Sequence, residues 1–217
     1  MPGLGVGLHL VVIEGDAVLP RSGELGPAFG SDQLRLGVEY YFSPAGRRRL
    51  WAEVVAQYRA FAATGLRLDH ANAHKHMHLH PTVGRMLIEA GREFGLGALR
   101  VPAEPPGLAG AASCGDRALF AWTRVLRTQG RAAGLRMNDW VLGLGWSGGM
   151  TRERLLAVAH ALPAGLGEIY FHPATARNRL LERLMPGYAH EAELDTLLDP
   201  AVQAALSARG RLSGWRD

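Results

Sequence analysis

A single cysteine, Cys114, stands in the 217 residues. No internal disulfide and no cysteine-based zinc finger can form, and a reducing, cytoplasmic setting is expected. Lysine is just as scarce: Lys75 is the one lysine among 24 basic residues. The net charge of +4 is carried by scattered arginines, with one run at Arg47, Arg48 and Arg49. No set of stacking aromatics accompanies them, so no nucleic-acid partner is expected. No stretch approaches the ~20 apolar residues of a membrane span. The apolar start Met1 to Ile13 has no basic lead-in, contains His9 and runs into Glu14, so it reads as a strand and not a signal peptide. Lysine-bearing phosphate-binding loops and internal repeats are also missing.

What is present is ordinary for a globular protein: 47% hydrophobic and 20% charged residues. A chain of this length buries roughly 70% of its unfolded surface in one core, so a single domain over residues 1–217 is expected. Strand and helix patterns alternate. Val6 to Ile13, Leu66 to Ala73, Gly97 to Val101, Trp140 to Leu144, Gly167 to Phe171 and a short piece near Arg211 to Ser213 read as strands. Helical spacing covers Arg47 to Thr64, Pro81 to Phe94, Asp116 to Ala133, a segment capped by Thr151 and ending near Leu162, and Pro200 to Ala208. A Gly- and Pro-rich loop is expected up to about residue 46, and polar loop between Phe171 and Pro200. The alternation predicts an α/β fold with a parallel sheet and helices outside it.

The chemistry concentrates in DHANAHKHMHLHP, which carries His70, His74, His76, His78 and His80, five of the nine histidines. In an extended chain His74, His76, His78 and His80 share one face, successive members about 6.6 Å apart. An HxH pair can close on one ion; all four cannot. Any one of them alone reads best as a hydrogen-bonded core or surface histidine, but four in alternation between a strand and a helix favour metal binding. His9 in GLHL and His172 after EIYF occupy similar strand positions, each a core histidine or a site residue. Arg100, at the end of ALRVP, is a carboxylate partner or a substrate contact.

VGLHLVVIEGDAVLP, the histidine segment with its flanks, WSGGM, IYFHPA and the C-terminal GWRD resemble the YdjC-like carbohydrate deacetylases, most closely the hopanoid-biosynthesis-associated, HpnK-type branch. The resemblance implies a distorted (β/α) TIM-like barrel that removes acetyl groups from N-acetylated amino sugars with a divalent metal, zinc or magnesium. Carried over by position, it implies His9 and His74 as metal ligands, His172 of the HPA motif and Arg100 as catalytic candidates, and His76 and His78 in the substrate pocket or behind the ligands. Members of that family begin with a strand ending in Asp-Asp-Phe-Gly, which supplies a ligand and the catalytic base. The motif is absent here, so a barrel lacking its first strand and helix is expected.

The implied substrate is the N-acetylglucosaminyl group of a hopanoid glycolipid. The competing expectation is a non-catalytic metal-binding protein or a defective fragment. Tyr40, Tyr41 and Phe42, in the expected loop before Arg47, Arg48, Arg49 and Trp51, suit a lipid boundary, so weak peripheral membrane contact is a further expectation.

Overall fold

The computed structural model describes residues 4–19, 29–211 and 213–215. They form two compact units, one from the described residues of Met1–Val101, Trp122–Met137 and Gly214–Asp217, the other from Pro102–Ala121 and Asn138–Ser213.

In the first unit, β1 (Val6–Leu10), β2 (Leu68–Ala73), β3 (Ala98–Leu99) and β4 (Arg136–Met137) lie in that order with every pair parallel. Parallel neighbours need a crossover between them, which helices supply. They are α1 (Gln33–Phe42) and α2 (Pro44–Ala63) after β1, α3 (Pro81–Glu93) after β2, and, after β3, the part of α4 (Cys114–Ala132) from Trp122 onward. The pleat of β1 sends Leu8 and Leu10 into the core and His9 to the other side. Strand β2 is paired on both edges and almost wholly buried. Helix α2 opens with Pro44 behind the N-cap Ser43, whose hydroxyl accepts the Gly46 N–H. It packs Leu50, Val54 and Tyr58 inward, and the Tyr58 hydroxyl donates to the Leu87 carbonyl on α3. Buried Glu53 and Gln57 on the same helix hold the chain that leaves β1: Gln57 pairs with both peptide groups of Val11, and Glu53 accepts the N–H groups of Val18 and Leu19.

The second unit holds the parallel pair β5 (Trp140–Leu142) and β6 (Gly167–Ile169), with α5 (Arg152–Ala159), α6 (Arg179–Leu184), α7 (His190–Leu198) and α8 (Pro200–Ser207). Trp140, Leu142, Met150, Leu155, Leu162 and Val202 form its core. Thr151 and Asp199 cap α5 and α8 with side-chain oxygens, as their residue types favour.

Several sequence expectations are corrected. The stretch before residue 46 contains α1, begun by the Asp32 cap and masked in sequence by its Gly- and Pro-rich surroundings. Tyr40, Tyr41 and Phe42 therefore end a helix; Tyr40 is buried and donates its hydroxyl to the Val12 carbonyl, while Tyr41 and Phe42 are exposed. Two helices, α6 and α7, replace much of the polar loop expected after Phe171. Arg211 and Ser213 are not in a strand, and Leu212 lies outside the described residues. The strand β4 has only two residues, too few to leave a period in the sequence. No described helix is long and apolar enough to cross a membrane.

Candidate active site

The first unit brings five of the candidate residues to the carboxyl ends of β1, β2 and β3, where ligands of parallel sheets bind. Strand register does the placing. His9 stands opposite Asn72 and Leu10 opposite Ala73, so His74, the next residue, emerges beside His9 although 65 positions separate them in sequence. Their ring centroids are 5.7 Å apart, edge to face. Two imidazoles sharing one ion at about 2.0–2.1 Å per nitrogen have ring centres about 5–6 Å apart, so this pair fits two ligands of one metal. His9 Nδ1–H donates to the Asn72 side-chain oxygen, so its ligating nitrogen would be Nε2. Among the described residues no group of three or more His, Cys, Asp or Glu is arranged to hold an ion.

The segment after His74 is not extended, the condition under which its alternate histidines would share one face. It turns into a 3-10 segment, His74–Leu79, kinked where Lys75 and His76 adopt φ of 47° and 54°. With Glu14 at φ 50°, these are the left-handed non-glycine residues of the described chain. Each costs on the order of 1 kcal/mol and such strain gathers at functional sites. Lys75 Nζ lies 2.5 Å from Glu14 Oε1, tying the chain after β1 to the kink. Burial lowers the His74 pKa, with Glu14 opposing the shift and Lys75 adding to it. The imidazole is thereby kept neutral, the form that binds metal.

The kink sends the remaining histidines apart. His78 is wholly buried, its Nε2–H donating to the Arg100 carbonyl at 3.0 Å, which fastens the 3-10 segment to the end of β3. His76 is half-buried with its ring 6.2 Å from that of His78. Arg100 is half-buried, its N–H donating to the Ala71 carbonyl at 3.1 Å. His80 precedes α3, beside Tyr40 and Tyr41.

Burial, seconded by His76, pushes the His78 pKa down from 6.5 to about 3. Between those values the unfolded chain binds a proton that the folded chain refuses, so stability is complete above pH 6.5 and declines as pH falls through the window. The expected result is a melting temperature that drops from pH 7 to pH 4 more steeply in the native protein than in His78→Gln. Equal slopes in the two melts would remove His78 from this account.

His172 belongs to the second unit. Its backbone N–H donates to Glu193 Oε2 at 2.5 Å and its carbonyl accepts His190 Nδ1–H at 2.6 Å. The Tyr188 ring stands 4.9 Å from its imidazole at 70°, and the Tyr170 ring 5.5 Å away at 82°. The sequence pointed to neither Asn72 nor this group of Tyr188, His190 and Glu193. Asn72 follows from strand register alone, whereas YAHEAE sets an imidazole and a carboxylate three residues apart, a helical spacing inside a stretch of otherwise polar, loop-like sequence.

A family described as YdjC-like protein matches residues 1–208. A carbohydrate deacetylase of Brevibacillus brevis is 34% identical over 109 residues, 50% of this chain and 41% of that protein. One from Vibrio vulnificus YJ016 is 32% identical over 126 residues, 55% and 45% of the two chains. The chain thus matches less than half the length of these curated relatives. Among solved structures, a protein of Enterococcus faecalis V583 provisionally described as a cellobiose-phosphate cleavage protein superposes with a TM-score of 0.72, covering 98% of this chain and 77% of that one at 20% identity. At that identity the likeness shows a shared α/β fold.

Proposed function

The chain belongs to the YdjC-like protein family, and from that premise we propose that it hydrolyses the N-acetyl group of an amino sugar, giving the free amine and acetate. The observation that carries this reading is the His9 and His74 pair, 5.7 Å apart at the carboxyl ends of adjacent strands, in a chain whose relatives are carbohydrate deacetylases. These two residues would hold a divalent metal, zinc or magnesium, with the Asn72 contact fixing the ring of His9. The chemistry such an ion supplies is polarisation of the acetamide carbonyl and acidification of a water. His172 is the proposed proton donor to the departing amine. His76 and His78 shape the ground behind the pair, and Arg100 anchors that turn through its carbonyl.

The finer reading is an N-acetylglucosaminyl hopanoid as substrate, in a TIM-like barrel that meets the membrane surface weakly from the cytoplasm. Its support is the sequence likeness to the hopanoid-associated branch together with an apolar stripe on α1. Leu34, Val38, Tyr41 and Phe42 recur at helical spacing and are all exposed, and the Arg47 guanidinium donates to the Tyr41 carbonyl beside them. The two-imidazole set favours a second reading, a metal-binding protein without turnover, because no third ligand stands among the described residues.

One experiment separates these readings: acetate release from soluble N-acetylglucosaminides and from an N-acetylglucosaminyl hopanoid in anionic vesicles, at low and high salt. Turnover of both, faster on vesicles and salt-sensitive, is the expected result. Stoichiometric metal without acetate from either substrate would establish the second reading. Turnover of the soluble sugar alone would remove the lipid.

A further inference from the structure

Helix α7 buries the wrong kind of face. A surface helix normally turns an apolar stripe inward, yet the buried residues of α7 are His190, Glu193 and Thr196. Burying polar groups costs about 1–3 kcal/mol each unless they are bonded, so what these side chains hold is informative. Glu193, 1% exposed, uses both carboxylate oxygens on backbone N–H groups: Oε1 accepts Met150 of the WSGGM segment at 3.0 Å, and Oε2 accepts His172. His190, also 1% exposed, donates Nδ1–H to the carbonyl of the same His172, and its own carbonyl accepts the Ala174 N–H at 3.3 Å. Both peptide groups of His172 are therefore gripped by side chains from one helical turn.

A residue two positions before that turn grips the ring. Tyr188 lies edge to face against the His172 imidazole at 4.9 Å. The ring also rests on Gly148, which has φ +76°, and a Cβ there would sit 2.3 Å from it. Its hydroxyl pairs with Ser147 Oγ at 2.9 Å, and the next N–H, of Ala189, donates to the Gly148 carbonyl at 2.8 Å. WSGGM, HPA and YAHEAE thus form one connected assembly whose centre is His172.

We infer that Tyr188, His190 and Glu193 are positioning residues for the His172 imidazole, with the two buried polar groups fixing its backbone and the tyrosine ring fixing its side-chain orientation. The inference rests on the proposed role of His172, but its geometry is tested without that role. Transfer of a proton to a leaving amine tolerates little misplacement, and an error near 1 Å can cost about 100-fold in rate. A buried carboxylate held by two backbone N–H groups is a rigid way to prevent it.

The test uses the full chain with labelled histidines, the His172 resonance being assigned by its loss in His172→Ala. Tyr188→Leu is expected to move the His172 ring signal toward that of an unstacked imidazole, and to lower kcat for acetate release about tenfold with KM unchanged. Tyr188→Phe keeps the ring and should restore both. Glu193→Gln replaces one acceptor by a donor that faces an N–H, so the His172 signal should broaden or split and its backbone amide should exchange faster. A His172 signal unmoved in Tyr188→Leu overturns the inference whatever the acetate assay returns, and the tyrosine pair decides the matter if Glu193→Gln does not fold. Undiminished turnover in His172→Ala would instead overturn the proton-donor reading while leaving the ring readout intact.

Discussion

His74→Ala is expected to abolish stoichiometric binding of a divalent metal, with affinity at least ~100-fold weaker than in the native protein, the range in which even residues behind a metal ligand act. His9→Ala should do the same. The two rings approach each other only because β1 and β2 pair in the register that sets His9 against Asn72, so removing either leaves one imidazole and no chelate. His80→Ala is the control. Its ring packs near Tyr40 and Tyr41, and it should retain full metal. Zinc or cobalt titration of the purified chain, followed by calorimetry, reads this directly. A His74→Ala protein that still held one equivalent of tightly bound metal would end the assignment.

His172→Ala should lower kcat for acetate release by about 10²–10⁴, the usual contribution of a positioned general acid, while KM changes little. The physical reason is that an alkylamine leaves poorly without a proton. A substrate whose nitrogen leaves readily, such as an acetanilide glycoside, should therefore lose much less in the same variant. If both substrates slowed equally, His172 would be acting on binding or on the fold and not on the departing nitrogen. Less than a tenfold loss on the sugar would sink the role altogether.

Much of the architecture was legible because helix and strand leave different periods. The stretches Pro81 to Phe94 and Asp116 to Ala133 carry wide apolar stripes and became α3 and α4 with ends shifted by at most two residues. Failures came where a period is hidden or too short. Helix α1 lies beside Gly- and Pro-rich sequence and begins on the cap Asp32, and β4 is a two-residue pairing that only its neighbour β3 defines. Helix α7 escaped because its inward face is polar, which inverts the pattern that marks a helix in sequence.

The candidate site divides along the same line. The sequence by itself determined which residues have the chemistry: a crowd of imidazoles between a strand and a helix, His9 on a strand, His172 in HPA, and a lone lysine among them. It also determined the α/β class, because alternating periods and buried strands admit few other arrangements. Only the tertiary structure decided which histidines meet. Alternation suggested one shared face for His74, His76, His78 and His80, but the left-handed Lys75 and His76 break the strand, bury His78 against the Arg100 carbonyl and leave His74 beside His9. Strand register and backbone kinks depend on packing between segments far apart in the chain, and a local pattern carries no record of them. The same holds for Glu193, a carboxylate ordinary in sequence whose meaning comes from the two backbone N–H groups that folding delivers to it.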